Sequence, residues 1–219
     1  MIAEQATSTF PENTTMIDFF SALFSYGFII RAFIAGTLIS LCASLLGIVL
    51  VLKRFSMIGD GLSHVGFGTM AVAMAFNWAP LAVSVPVCIL AAFLLLRVSA
   101  SSSGVKGDAA IALISSSALA IGIIVTSVTS GLNTDVTAFM FGSILAISRT
   151  DVIISVTLGA VVISLFVLLY NRIFLVTFDE SFATASGIRS SAYNALVAVL
   201  TALTVVVGMR LMGAMMISS

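Results

Sequence analysis

The amino-acid sequence predicts an all-α membrane protein, a polytopic helical bundle, and three observations support this fold class. Of the 219 residues, 60% are hydrophobic and only 8% are charged, whereas soluble domains carry about 25% charged residues. Mean hydropathy is +1.24. Several apolar runs reach the length of about 20 residues that a helix needs to cross a bilayer. We therefore expect lipid, rather than water, to surround most of the chain.

Six apolar runs are close to the spanning length. Each ends where basic, polar or helix-breaking residues interrupt the apolar pattern, as at the pair Lys53-Arg54 after the first run and near Pro80 after the second. A Ser/Gly-rich linker, residues 99–107, separates the third run from the fourth. The predicted spans, about six full transmembrane helices, cover residues 26–52, 57–76, 81–98, 108–129, 152–170 and 193–219.

A shorter apolar segment, residues 136–147, lies between the fourth and fifth predicted spans. Runs of about 10–14 residues are more often re-entrant or buried pieces than complete spans. We therefore expect one short re-entrant helix that enters and leaves the membrane on its outer side.

Basic residues predict the orientation of the chain, because Lys and Arg concentrate on cytoplasmic loops. If the first basic pair is cytoplasmic, alternation of the spans places six of the nine basic residues inside. Residues 1–25 contain three acidic residues and no Lys or Arg, so they lack the positive region of a signal peptide. We expect them to form an N-terminal lead-in on the outer side. The six inside residues are Lys53, Arg54, Arg97, Lys106, Arg172 and Arg189.

Small residues recur at every fourth position on two predicted helices, a spacing that lets helix backbones approach closely in lipid. We expect both stripes to be contact seams between helices. They are Ala32, Gly36, Ser40 and Ser44 on the first helix, and Ala118, Gly122, Thr126 and Ser130 on the fourth.

The only histidine, His64, follows Asp60 by four residues inside the second predicted span. At helical spacing the two side chains share one face. Ionisable groups at membrane depth are costly and mark functional sites by default, and a carboxylate with an imidazole binds a divalent metal or relays a proton. The other interpretation makes Asp60 a helix N-cap and His64 a packing residue. These residues alone leave both interpretations open.

Residues 177–189 contain the only adjacent acidic pair of the chain, Asp179-Glu180. Asp179 or Thr177 is suited to cap a short helix, and Gly187 is suited to end it. The predicted short amphipathic helix is either an interfacial connector or a docking helix for a cytoplasmic partner. Three of its residues share one side: Phe178, Phe182 and Ala185.

Several classes of function are excluded by what the sequence lacks. A net charge of zero argues against a nucleic-acid-binding protein. The sequence contains no Walker A, HExxH, CxxC or GxSxG motif, so it offers neither a P-loop for ATP nor these hydrolase signatures. If energy drives this protein, another subunit supplies it.

The order of these segments resembles the membrane permeases of ABC importers for zinc, manganese or iron. The match covers nearly the whole chain from about Arg31. Five segments carry it in the family's order: 53–64 with its basic pair, Gly-Asp and His; 107–108 with 117–122; 132–135 with 141–145; 178–180 with 187–188; and 207–219.

The resemblance implies a transport role without covalent chemistry, so the chain is not expected to be an enzyme. Asp60 and His64 match a metal site on the permease path, and no cofactor is bound permanently because zinc, manganese or iron is the cargo. The loop at about 177–189 matches a coupling helix that docks into the ATPase. Its residues matching the family are Phe178, Asp179, Glu180, Phe182, Ala183 and Gly187.

The resemblance also implies an assembly in the cytoplasmic membrane of a bacterium. It consists of two permease copies, two cytoplasmic ABC ATPase subunits and an extracytoplasmic metal-binding receptor. Residues 26–219 then form the transmembrane permease domain, which is truncated at its C-terminus relative to the family.

Two points leave alternatives open. Ser116 stands where some zinc-type members carry a histidine, so this chain has fewer nitrogen ligands for zinc. The alternative transport function is a permease for metal chelates such as siderophores or cobalamin. An intramembrane metalloenzyme is disfavoured because catalytic zinc usually takes three protein ligands. A purely structural membrane subunit is the remaining interpretation.

Overall fold

The computed structural model describes residues 27–53, 55, 57–100, 107–129, 140–142 and 149–218. These residues contain nine helices and no strand, which confirms the all-α prediction. The predicted lead-in and most of the predicted re-entrant segment lie outside the described residues and stay predictions. The helices are α1 (Gly27–Leu52), α2 (Ile58–Ala75), α3 (Pro80–Ala100), α4 (Gly107–Thr129), α5 (Arg149–Leu168), α6 (Tyr170–Phe178), α7 (Glu180–Ala185), α8 (Ser190–Met212) and α9 (Ala214–Ser218).

The chain is a multi-pass membrane protein. Within the described residues, α1, α3, α4 and α8 are long and apolar enough to cross a membrane, and the bent pair α5–α6 is a fifth if it forms one span. The helix α2 covers the second predicted span but is absent from this set, because its ionisable pair and its glycines lower its hydropathy. The predicted number of about six crossings is therefore not confirmed.

Protein, more than lipid, surrounds α2. It contacts α3, α4, α8 and α9, and eleven of its 18 residues are buried. Its glycines permit this packing: a Cβ on Gly68 would lie 2.6 Å from the carbonyl oxygen of Ala118 in α4. A Cβ on Gly122 would lie 3.0 Å from the Cα of Gly68. The described part of the predicted seam on the fourth helix is thus a helix contact, while Ser130 lies outside the described residues.

The helix α8 is the second interior element. Of its most apolar stretch, 61% is buried inside the protein, whereas the corresponding share is 22–33% for α1, α3 and α4. Its residues Leu200 and Met209 join Leu62 and Phe67 of α2 in the hydrophobic core. The two helices that carry the sites discussed below therefore occupy the centre of the bundle.

The seam predicted on the first helix is partly wrong. Ser40 and Ser44 are exposed, and α1 buries an apolar face instead. The close contact with α5 depends on Gly159, where a Cβ would lie 2.2 Å from Leu38 Cδ2. A close helix contact requires a small residue on only one of the two partners. The buried residues of α1 are Ala35, Ile39, Cys42, Leu46, Val49 and Leu50.

Two predicted spans are interrupted. The fifth bends by 69° between α5 and α6, so it continues past residue 170 as a separate helix. The last ends at Gly213, whose φ of 87° and ψ of 154° lie in a region that is essentially restricted to glycine. A Cβ on Gly213 would lie 2.4 Å from the backbone nitrogen of Gly142. Close backbone packing therefore breaks the apolar run, a tertiary effect that composition does not reveal.

Candidate metal site and coupling helix

The first two turns of α2 bring Asp60 and His64 together. The helix begins at Ile58 with Met57 as its N-cap, so the interpretation of Asp60 as the N-cap is wrong. Asp60 lies in the first turn, where the helix dipole favours a negative charge. Its Oδ1 lies 3.1 Å from His64 Nε2. The predicted pairing of the two side chains is thus present, as the spacing of four residues requires.

The pair is only partly covered by this chain. The side chain of Asp60 is 35% exposed and that of His64 is 17% exposed. His64 Nδ1 is buried and has no hydrogen-bond partner among the described residues. A neutral imidazole that donates its Nε2–H to a carboxylate keeps its lone pair on Nδ1. The pair thus combines a carboxylate with a ring nitrogen that lacks a protein partner in the described part of the chain.

The described residues of one chain supply too few ligands to enclose a metal. They contain no group of three or more His, Cys, Asp or Glu side chains that could hold an ion. Zinc sites are usually four-coordinate, and magnesium or calcium takes six or more ligands. Asp60 and His64 therefore form at most part of a coordination shell.

A cavity of about 370 Å³ lies between α1, α8 and α9. Its wall is mostly apolar and reaches Gly59, the neighbour of Asp60. Neither Asp60 nor His64 lines this cavity. The cavity therefore offers no hydrated route to the pair.

The predicted coupling helix is shorter than residues 177–189. Its helical part is α7, six residues long, because Thr177 and Phe178 belong to α6. Asp179 Oδ1 accepts a hydrogen bond of 2.8 Å from the Phe182 backbone N–H, which makes Asp179 the N-cap.

A glycine ends α7 as predicted. Gly187 has a φ of +82°, which a residue with a side chain rarely adopts. Its N–H donates to the Thr184 carbonyl, and the N–H of Ile188 donates to the Ala183 carbonyl, each at 3.0 Å. These two bonds are the pattern of a Schellman motif.

Aromatic side chains face outward around α7. Phe178 is 67% exposed and Phe182 is 58% exposed. Ala185 is exposed as well, whereas Ala183 is fully buried. The side predicted to be apolar is therefore an uncovered surface, and Ala183 attaches the short helix to the rest of the protein.

A polar cluster beside α7 was not predicted from the sequence. Asn194 of α8 donates through Nδ2 to Glu180 Oε1 at 3.0 Å, and its Oδ1 accepts a hydrogen bond from Lys53 Nζ. Burial lowers the pKa of Lys53, and the nearby Glu180 carboxylate partly offsets this effect. Lys53 and Asn194 are 141 residues apart, so no local pattern indicates their contact.

Comparison with known proteins assigns the chain to a family. The model of the ABC 3 transport family matches residues 25–219. The chain belongs to the ABC 3 transport family. The chain is therefore a membrane permease of the metal ABC importer type, and this membership favours the metal-ion interpretation over the metal-chelate alternative.

Two curated relatives of the permease carry manganese in their names. The manganese transport system membrane protein MntC of Halalkalibacterium halodurans is 28% identical over 199 residues, a match of 91% of this chain and 68% of the relative. The manganese import system permease protein ScaB of Streptococcus gordonii is 28% identical over 200 residues, a match of 91% and 71%.

A solved structure has the same fold as the permease. The structure described as PsaBC from Streptococcus pneumoniae in complex with Fab superposes with a TM-score of 0.79 at 29% identity. The match covers 93% of this chain and 73% of the other. The sequence-based resemblance to metal-uptake permeases is thereby confirmed.

Proposed function

We propose that this chain is the permease subunit of a bacterial importer for divalent manganese. The observation that carries the proposal is the contact between Asp60 Oδ1 and His64 Nε2 at 3.1 Å, in an interior helix of a chain from a metal-transport family. An ionisable pair in such a helix is costly unless a cavity, a protein surface or a ligand stabilises it.

A carboxylate with an imidazole suits manganese, iron or zinc, so the ligand pair does not choose among them. The names of the relatives favour manganese. Relatives named for manganese transport match over nine-tenths of the chain.

A second copy of the permease would complete the coordination shell. The carboxylate of Asp60 is 35% exposed in one chain, and one chain contributes only two of the ligands that a metal needs. Two copies that meet along this face would supply two carboxylates and two imidazoles. The same contact would remove the ionisable pair from lipid, which gives a physical reason for dimer formation.

The short helix α7 is the proposed docking element for a cytoplasmic ABC ATPase. Its aromatic side chains, Phe178 and Phe182, are largely exposed, and a partner groove would bury them. Asp179 and Gly187 set the two ends of the element, while Ala183 holds it against the bundle. Residues 177–189, with Glu180 among them, therefore remain the proposed coupling segment.

The remaining partners follow from this role. An external receptor would deliver the metal on the outer side, where the N-terminus is proposed to lie. ATP hydrolysis on the separate subunits would shift the permease between two helix arrangements that open to opposite sides. The chain itself would carry out no covalent chemistry, and the membrane would be the bacterial cytoplasmic membrane.

The metal site is tested by conservative substitutions in the assembled importer. Asp60→Asn and His64→Gln keep a similar side-chain size and each replace a ligand by a neutral amide, which is a weaker donor. We expect each to lower uptake of radioactive manganese into proteoliposomes by more than about tenfold, since altering even the groups that support metal ligands costs ten- to hundredfold. Thr69→Val is the matched control, because Thr69 lies on the same helix and its hydroxyl, within the described part of the chain, donates to the Gly66 carbonyl alone.

Direct metal binding provides the second measurement. Electron paramagnetic resonance of manganese added to the purified permease distinguishes a lost ligand from a misfolded protein. Unchanged uptake in the double variant of Asp60 and His64 would remove the pair from the mechanism. Equal uptake of chelated metal in place of the free ion would favour the chelate permease instead.

A further inference from the structure

Three side chains from separate parts of the chain form one hydrogen-bonded bridge at the end of the bundle where α7 lies. Lys53 directly follows α1, Glu180 is the first residue of α7, and Asn194 lies in the second turn of α8. Asn194 contacts both of the others through its side-chain amide. We call these three residues the Asn194 bridge.

The amide of Asn194 matches the charge of each neighbour. Its NH₂ group donates to the carboxylate of Glu180, and its carbonyl oxygen accepts from the ammonium group of Lys53. An amide is the one small side-chain group that offers a donor and an acceptor in a fixed plane. Hydrogen bonds to charged groups are about twice as strong as neutral ones, so the bridge favours one relative position of the three elements.

The bridge leads from α7 towards the metal pair. Lys53 starts the connection between α1 and α2, and in the described part of that connection the Phe55 N–H donates to the Leu50 carbonyl at 2.8 Å. The Ile58 N–H in turn donates to the Phe55 carbonyl at 3.1 Å. Ile58 is the first residue of α2. A displacement of Lys53 therefore acts on the helix end that carries Asp60.

We propose that Asn194 is a positioning residue that links movement of α7 to the start of α2. The inference rests on the proposed function, since it gives the coupling helix a connection to the metal pair. A pull on α7 is transmitted through Glu180, Asn194 and Lys53 to the α1–α2 connection. Within the described residues, the side-chain hydrogen bonds of Asn194 go to Lys53 and Glu180 and not to the metal pair.

Attachment of α7 to α8 has a second component that does not involve Lys53. The hydroxyl oxygens of Thr184 and Ser190 lie 3.2 Å apart, within hydrogen-bond distance, and Ala183 is buried. These contacts hold α7 in place without the bridge. A variant of Asn194 should therefore retain α7 and its docking surface while it loses the connection to α2.

The substitution that tests the bridge is Asn194→Asp, which keeps the size of the side chain and removes its donor. The carboxylate of N194D would still accept from Lys53 but would repel Glu180. The double variant N194D/E180Q restores a complementary pair, because the amide introduced by E180Q donates to the new carboxylate. E180Q alone is also measured, because the double variant is to be compared with E180Q and not with the wild type. Ser191→Asp adds the same charge on an exposed position of α8 and is the matched control.

The first measurement is hydrogen exchange on the purified permease, without any partner. We expect N194D to raise exchange both at the backbone of α7 and at residues 55–61, and S191D to change neither. A rise at α7 alone would overturn the inference, because it would show that α7 is not linked to the start of α2.

The second measurement is the amount of metal transported per ATP hydrolysed by the reconstituted importer. We expect N194D to lower this ratio by about tenfold, the effect of losing one charge-assisted hydrogen bond, and N194D/E180Q to return it to the value of E180Q. An unchanged ratio, or a loss without rescue, would overturn the inference. A wild-type importer without metal uptake would instead refute the proposed function, while the exchange experiment would still decide the link.

Discussion

The contact between α2 and α4 provides the sharpest test of how the interior of this permease is built. A Cβ on Gly68 would lie 2.6 Å from the Ala118 carbonyl oxygen, and real Cβ atoms essentially never approach closer than 3.0 Å. Because the neighbour is backbone, Gly68→Ala forces the two helices apart by at least the difference of 0.4 Å. Such overpacking costs about 1–3 kcal/mol.

Another of the four glycines in α2, Gly59, supplies the control. A Cβ on Gly59 meets no atom within 4 Å, so Gly59→Ala adds a methyl group without a clash. Alanine is favoured over glycine in a helix by about 1 kcal/mol, and this gain nearly cancels when two variants of one helix are compared. We therefore expect G68A to have a free energy of unfolding about 1–3 kcal/mol below that of G59A.

The assay is denaturant unfolding of the purified permease in detergent micelles, followed by circular dichroism. The double variant G68A/G122A adds a check, because a Cβ on Gly122 would lie 3.0 Å from the Cα of Gly68. Substitutions in contact are not additive, and once the helices have separated the second methyl group costs less. Equal stability of G68A and G59A would refute the close approach of α2 to α4.

Two further predictions concern the end of the bundle that carries α7. Asp179→Ala removes the side-chain acceptor for the Phe182 N–H and should destabilise α7 by about 1 kcal/mol. Hydrogen exchange at residues 180–186 should therefore rise, and Ser181→Ala, at an exposed position of α7, is the control. Equal exchange in the two variants would argue against the cap. Burial lowers the pKa of Lys53 in the folded chain below its ordinary 10.5. At pH values between the folded and the unfolded pKa, the unfolded chain binds more protons than the folded chain, so the free energy of unfolding should rise with pH in this range. Lys53→Met should lack this rise in a denaturant series at alkaline pH, and parallel wild-type and variant profiles would contradict the pKa shift.

Local patterns anticipated much of the candidate site. The spacing of Asp60 and His64 was sufficient to predict their contact, since residues four apart on a helix are neighbours whatever surrounds them. The same holds for the ends of α7, where Asp179 caps the helix and Gly187 ends it. Each of these features depends on residues within one or two helical turns.

Contacts between distant residues were beyond the reach of such patterns. Asn194 has no distinctive neighbours in the sequence, and its role depends on Lys53, 141 residues away. The helix α6, which follows the bend of 69°, was likewise missed, because the polar residues Asn171 and Arg172 end the apolar run there. Gly213 breaks the last helix where it meets Gly142, a meeting that only the packed bundle creates.

The sequence by itself determined that lipid surrounds the chain, where most helices lie, and which residues close in sequence are in contact. Apolar length, helical periodicity and capping act over a few neighbouring residues, so the sequence is sufficient for them. Tertiary structure decided which helices lie inside. Gly68 and Gly122 could have faced lipid on separate helices, and their mutual contact is one of those that place α2, with its costly ionisable pair, in the protein interior. Lipid tails are as apolar as the side chains that face them, so close packing of backbones, rather than hydrophobicity, selects the helix partners.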